Sequence, residues 1–213
     1  ILSGMMAMQG EDYSTLESIR QTGGIVPDGT WDANQAAAIE NARLARALGM
    51  TLVTFHAGFV PHEGAGRDTL IDRLQRMADI FGAEGVDIAL ETGQEDAHEL
   101  HGLLTEMGDR RIGVNFDPAN MTLYGMGDPV AAVRTLAPFI RQVHIKDAIA
   151  TDEAGTWGRE VAVGEGDVDW PAFFRKLREC DVRCDLVIER EAGGARVDDI
   201  TAAAALVEQL KST

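Results

Sequence analysis

The chain has 213 residues, 45% hydrophobic and 25% charged, enough to bury one sizeable core and too apolar for a disordered segment. Nineteen Lys plus Arg against 35 Asp plus Glu leave a formal net charge of −16, which repels a phosphate backbone, so no nucleic-acid partner is expected. No apolar run approaches the roughly 20 residues of a membrane span, and the N-terminus lacks the layout of a secretion signal, so a cytoplasmic setting without a membrane partner is expected. Cys180 and Cys184 have no His or further Cys beside them to complete a zinc site and read as reduced and structural.

Residues 1–8 form an apolar run of strand length, and Ser14-Thr15-Leu16-Glu17 supplies a capping box for a short helix closed by Gly23 and Gly24. Asp32 is the expected cap of a longer helix striped by Ile39, Ala42, Ala45 and Leu48. Residues 51–57 read as a buried strand, and Asp68 caps a helix carrying Leu70, Leu74, Met77 and Phe81. Residues 86–90 form the next strand, followed by a helix with Leu100, Leu103, Leu104 and Met107. After a strand at 112–116, Asp128 and Pro129 make an N-cap and N1 pair for a helix ending before Pro138. A strand at 140–145, a helix opened by Asp169 and Pro171, a strand at 186–188 and a terminal helix striped by Ile200, Leu206, Val207 and Leu210 complete the pattern.

Strand starts at 51, 86, 112 and 140 have the spacing of single βα units, and the wider gap before 186 holds one weak candidate at 160–163. With the run at 1–8 this makes seven strands in one domain over residues 1–213. The pattern predicts a (β/α)8 TIM barrel lacking its first βα unit, since that fold takes roughly 250 residues. A doubly wound open sheet is the alternative, although no Gly-rich phosphate fingerprint follows any strand. A barrel without its first unit has an open seam, to be covered by a second copy in a homo-oligomer or by residues outside this sequence.

Reacting groups in a parallel barrel project from the C-terminal strand ends, where this chain offers His56, Glu91, Asp117, His144 and Glu189. Singly, each also reads as a cap or a rim residue. Together, three carboxylates and an imidazole suit a divalent cation, and like charges gathered at one mouth need one. Lys146 lies on the same side of its strand as His144 and reaches the same mouth, or else pairs with an acid such as Asp147. Trp157 and Arg159 read either as a sugar-stacking wall and an anion clamp or as surface.

The segments FHAGF, ALETG, VNFDPAN, VHIKDA, VGEGDVDW and LVIERE, in that order over about residues 51–191, resemble those of the xylose isomerase-like TIM barrels, the sugar phosphate isomerases and epimerases. The resemblance implies one divalent cation (Mn²⁺, Mg²⁺, Co²⁺ or Zn²⁺) held by Glu91, Asp117, His144 and Glu189. It implies a small sugar substrate, a metal-stabilised enediolate, and Glu91 and Glu189 as the acid–base pair. His56 is expected to contact a substrate hydroxyl. Asn120 stands where related abasic-site zinc endonucleases and many ketose 3-epimerases carry a histidine, which disfavours a multi-zinc cluster and a tagatose-type epimerase. The competing readings are a noncatalytic sugar- or partner-binding barrel and, further off, an endonuclease-like hydrolase.

Overall fold

The structure is a computed structural model that describes residues 1–153 and 155–211. It divides into two compact units, Ile1–Glu91 with Glu99–Val114, and Thr92–His98 with Asn115–Thr213. The chain passes between them within a strand and within a helix.

The first unit holds β1 (Gly4–Met5), α1 (Leu16–Thr22), α2 (Asp28–Ala47), β2 (Leu52–Phe55), α3 (Ala65–Gly82), β3 (Asp87–Glu91), most of α4 (Ala97–Met107) and the start of β4 (Ile112–Phe116). β1 pairs parallel with β2, Gly4 opposite Val53, and β2 pairs parallel with β3, Val53 opposite Ile88. Val53, Phe55, Ile88, Ala89 and Leu90 are all buried, which is why these strands read as unbroken apolar runs and not as alternating ones. Leu70, Leu74, Met77 and Phe81 line the buried side of α3, as their spacing predicts.

Several boundaries differ from expectation. Of the run at 1–8 only Gly4–Met5 is strand, because Gln9 N has already turned to Asn34 Oδ1 (2.7 Å) and Ile1 and Leu2 are exposed. The capping box sits one residue on from Ser14: Thr15 accepts from Ser18 N, and Ser18 Oγ accepts from Thr15 N. Helix α2 begins at Asp28, four residues before Asp32, where the buried Arg73 guanidinium takes Asp28 and the Ile25 carbonyl as partners. Leu48 of the predicted stripe is exposed, and Ala38, Ala42 and Ala45 form the buried face. Gly64, not Asp68, precedes α3.

The second unit holds the end of β4, α5 (Pro118–Tyr124), α6 (Pro129–Leu136), β5 (Ile140–Ile145), β6 (Asp147–Ile149), β7 (Arg159–Val161), α7 (Trp170–Glu179), β8 (Asp185–Ile188) and α8 (Arg196–Lys211). β5 pairs parallel with β8, His144 opposite Val187. Asp128 and Asp169 cap α6 and α7 as predicted, accepting from Val130 N and Ala172 N.

The sixth of the seven expected parallel strands, at 160–163, is instead β7, which pairs antiparallel with β6 in a separate two-stranded sheet, Asp147 opposite Val161. The cause is one buried carboxylate. Asp147 accepts from the backbone N–H groups of Ala148, Gly164, Gly166 and Val168 and from Trp170 Nε1 at 2.8 Å, so the segment after β7 is drawn onto the start of β6. A Cβ at Gly166 would lie 2.1 Å from Asp147 Oδ1, so only glycine fits. No described helix is long and apolar enough to cross a membrane.

Candidate active site

In the second unit, β4 delivers Asp117, β5 delivers His144 and Lys146, and Glu189 follows β8, its N–H bonded to Ile145 O at 3.1 Å. Asp117 is fully buried and caps α5, Oδ1 accepting from Asn120 N at 2.9 Å, while its buried Oδ2 accepts no hydrogen bond. His144 Nδ1 lies 3.5 Å from Asp117 Oδ2 and 3.3 Å from Glu189 Oε2. One donor atom from each of these three residues lies within 4.8 Å of the others, a nitrogen and two carboxylate oxygens of the kind a divalent ion of intermediate hardness takes. Asp117 Oδ2, aimed into this group and lacking a hydrogen-bond donor, fits a metal ligand.

The other ring nitrogen of His144 is held by amides. Asn115 Nδ2 stands 3.0 Å and Gln142 Nε2 3.4 Å from His144 Nε2, and Gln142 Nε2 donates to Asn115 Oδ1 at 3.2 Å. If Nδ1 ligates a metal, Nε2 carries the proton, and half turns of both the Asn115 and the Gln142 amides present oxygens that accept it while Asn115 Nδ2 donates to Gln142 Oε1.

Lys146 is 3% exposed and sits among acids: Nζ is 2.9 Å from Glu189, 2.7 Å from Glu191 and 3.9 Å from Asp117, and donates to Asn120 Oδ1 at 3.3 Å. Burial alone would lower its pKa, but the three carboxylate charges outweigh burial and raise it above the ordinary range. Burial likewise pushes the Glu189 carboxyl up, and its bond to His144 with the charges of Lys146 and His144 overrides that, holding it at about 2.

The remaining predicted residues have these places. Glu91 ends β3 in the first unit and is buried, with His56 Nε2 of the same unit 3.8 Å from its Oε1. His56 Nδ1 is buried without a hydrogen bond. Trp157, between β6 and β7, packs edge-on against Tyr124 with ring centroids 4.7 Å apart. Arg159 is exposed on β7. Thus the second unit brings Asp117, His144, Glu189, Lys146 and Asn120 together, while Arg159 lies on its surface.

Sequence reasoning missed the residues that hold the cluster in place. Asn115 precedes Asp117 by two and Gln142 precedes His144 by two, so each shares the face of its cluster residue, and a polar residue at that register inside an apolar run was the available signal. Thr92, whose Oγ1 bonds the Asp117 backbone from the turn after β3, gave none. Glu160 was read only as strand, yet it accepts from Arg190 Nη1 (2.7 Å) and from the N–H groups of Glu191 and Ala192, fixing the turn just after Glu189.

The xylose isomerase-like TIM barrel model matches residues 21–212, and the chain belongs to that family. Among individual proteins, it is 30% identical over 151 residues to the uncharacterized protein YihM of Escherichia coli strain K12, a match covering 68% of this chain and 45% of that relative. The chain therefore spans under half the length of this curated relative. The crystal structure of a xylose isomerase domain protein from Planctomyces limnophilus superposes with a TM-score of 0.92 at 32% identity, over 99% of this chain and 76% of that one. The structure of an L-ribulose 3-epimerase shares the fold at a TM-score of 0.68 and 19% identity, over 94% of this chain and 66% of that one.

Proposed function

We propose that the chain is a divalent-metal-dependent isomerase or epimerase of a small sugar or sugar derivative. The observation that carries this reading is the buried group of Asp117, His144 and Glu189, two acids and an imidazole whose donor atoms converge and whose Asp117 Oδ2 has no hydrogen-bond donor. Glu91 is proposed as the fourth ligand, on its place at the end of β3 in the ALETG segment. The L-ribulose 3-epimerase is one protein in which this fold serves sugar chemistry.

A divalent cation bound by these residues would polarise a substrate carbonyl and the neighbouring hydroxyl, acidifying the C–H bond beside them. Glu189, held ionised by Lys146 and His144, is the proposed acceptor of that proton, and Glu91 its proposed counterpart in returning a proton to the opposite face. Lys146, anchored on Asn120 Oδ1, holds Glu189 in place, and Asn120, Lys146, His56, Trp157 and Arg159 are the proposed substrate contacts. The test is incubation of the metal-loaded protein in deuterated water with a panel of free and phosphorylated ketoses and aldoses. Deuterium entering one recovered sugar is the expected outcome. No incorporation into any sugar, with metal bound, would contradict the reading.

A further inference from the structure

Lys146 Nζ lies 2.9 Å from Glu189 and 2.7 Å from Glu191, yet the Glu191 side chain is 65% exposed. An ion pair to so open a carboxylate is too weak to keep its own geometry, so the turn that carries both acids must be fixed from elsewhere. We infer that Glu160 and Arg190 are positioning residues, a buried ion pair that clamps the turn after β8 and thereby keeps Glu191 on the Lys146 ammonium. The inference rests on the metal-dependent reading only for its effect on metal binding; the clamp itself rests on the geometry of the turn.

Consecutive side chains of this turn take different partners. Glu189 and Glu191 meet Lys146, while Arg190 between them donates from Nη1 to Glu160 Oε1 at 2.7 Å and from Nε to Asp199 Oδ2 at 2.8 Å. Glu160 Oε1 also accepts from Glu191 N at 3.0 Å and Ala192 N at 3.2 Å, and Oε2 lies 3.2 Å from the same Ala192 N. One carboxylate thus holds a side chain and two main-chain N–H groups from residues 190–192. The Glu160 and Arg190 side chains are only 8% and 11% exposed, so their attraction is screened far less than that of the Glu191 pair they support. Gly193 leaves room for the guanidinium, since a Cβ there would lie 2.9 Å from Arg190 Nη2.

The β6–β7 sheet puts Glu160 in reach. Glu160 pairs with Ala148, next to Asp147, whose carboxylate gathers the loop after β7. Lys146 and Asp147 are consecutive, so the contacts close into a ring: Lys146 to Glu191, the Glu191 N–H to Glu160, β7 to β6, and β6 back to Lys146. At Glu189 the backbone is still tied to β5 through Ile145 O; beyond it, Glu160 and Asp199 take over. Released from Glu191, the ammonium would be left to Glu189 and Asp117 and would compete with a metal ion for their oxygens.

Lys146 is one of three lysines, with Lys176 and Lys211, so acetic anhydride labelling read by peptide mass spectrometry reports on it separately and needs no metal. In Glu160→Leu, Lys146 should lose the cover of Glu191 and be acetylated about tenfold faster relative to the other two lysines. Mn²⁺ should bind this variant about tenfold more weakly. Glu160→Gln keeps an acceptor for Arg190 and the Glu191 N–H and should recover most of both effects. A merely structural role would lower the melting temperature and leave the Lys146 rate, measured well below it, at the wild-type value. Glu160→Leu combined with Arg190→Leu, which replaces the ion pair by apolar side chains and strands no charge, carries the same expectations should the single variant not fold. A wild-type Lys146 rate or wild-type Mn²⁺ affinity in the folded leucine variant, or equal acceleration in Glu160→Gln, would overturn the inference. Absence of Mn²⁺ binding by the wild type would contradict the metal-dependent reading alone, and the labelling would still decide the clamp.

Discussion

Thr92 and Asp117 exchange hydrogen bonds in both directions: Thr92 Oγ1 donates to the Asp117 carbonyl at 2.9 Å and accepts from the Asp117 N–H at 2.8 Å. Thr92 N also bonds Asn115 O at 3.1 Å, so the turn after β3 is stitched to both residues on which the Asp117 carboxylate depends. One hydroxyl outside the cluster thereby fixes where the proposed ligand carboxylate points. Thr92→Val keeps the shape and strands the buried Asp117 N–H, while the Asp117 carbonyl keeps only the 3.4 Å bond from Met121 N, so it should cost about 1–3 kcal/mol in urea unfolding and lower metal affinity about tenfold. Thr92→Ser should restore both. Wild-type metal affinity in the valine variant would show that the stitch does not position Asp117.

Asp147 should be the most sensitive structural position in the second unit. Its carboxylate takes four backbone N–H groups and the Trp170 indole, and an amide in its place would turn an –NH2 toward donors. Asp147→Asn is therefore expected to lose about 3 kcal/mol of stability, measured by denaturant unfolding at neutral pH. A loss below about 0.5 kcal/mol, within the range of ordinary surface substitutions, would mean that the β6–β7 sheet and the following loop do not depend on it.

The Glu189 carboxyl stands at about 2 in the folded protein against an ordinary 4.5. A depressed folded pKa adds stability that is complete above the unfolded value and is lost as pH falls through the folded one. With a chelator present, the stability difference between wild type and Glu189→Gln should be constant above about pH 5 and should shift against the wild type as pH falls from 4.5 toward 2. A difference that stays flat through this range would show that Lys146 and His144 do not hold the carboxylate ionised.

Cys184 is a free thiol pushed up to about 11 from 9.0, chiefly by burial and further by the charge of Asp185. Only the thiolate is alkylated, so at pH 8 iodoacetamide should modify Cys184 about a hundredfold more slowly in the native protein than in urea. Mass spectrometry of the labelled peptide reads the rate, and equal rates in the two states would refute the burial.

The proposed ligands are plain in the sequence and their supports hardly at all. Asp117, His144 and Glu189 each end or follow an apolar run, where period and strand length make a polar residue conspicuous. β7 was misassigned because EVAV has the composition of a buried strand, and its pairing is set by Asp147, whose N–H partners lie up to 23 residues away. Helix α5 was overlooked because seven residues are too few for a periodic signal, although Asp117 and Pro118 are a cap and N1 pair that local chemistry makes readable. Thr92 acts through a side chain from another turn, and no local pattern encodes such a meeting.

The most direct test of the central claim is the metal content of the purified protein and of its Asp117→Ala and His144→Ala variants, measured by elemental analysis after saturation with Mn²⁺ and removal of free ion, with circular dichroism to verify folding. The account predicts one ion per wild-type chain and loss of it in both folded variants. Undiminished metal in both variants, or none in the wild type, would contradict it.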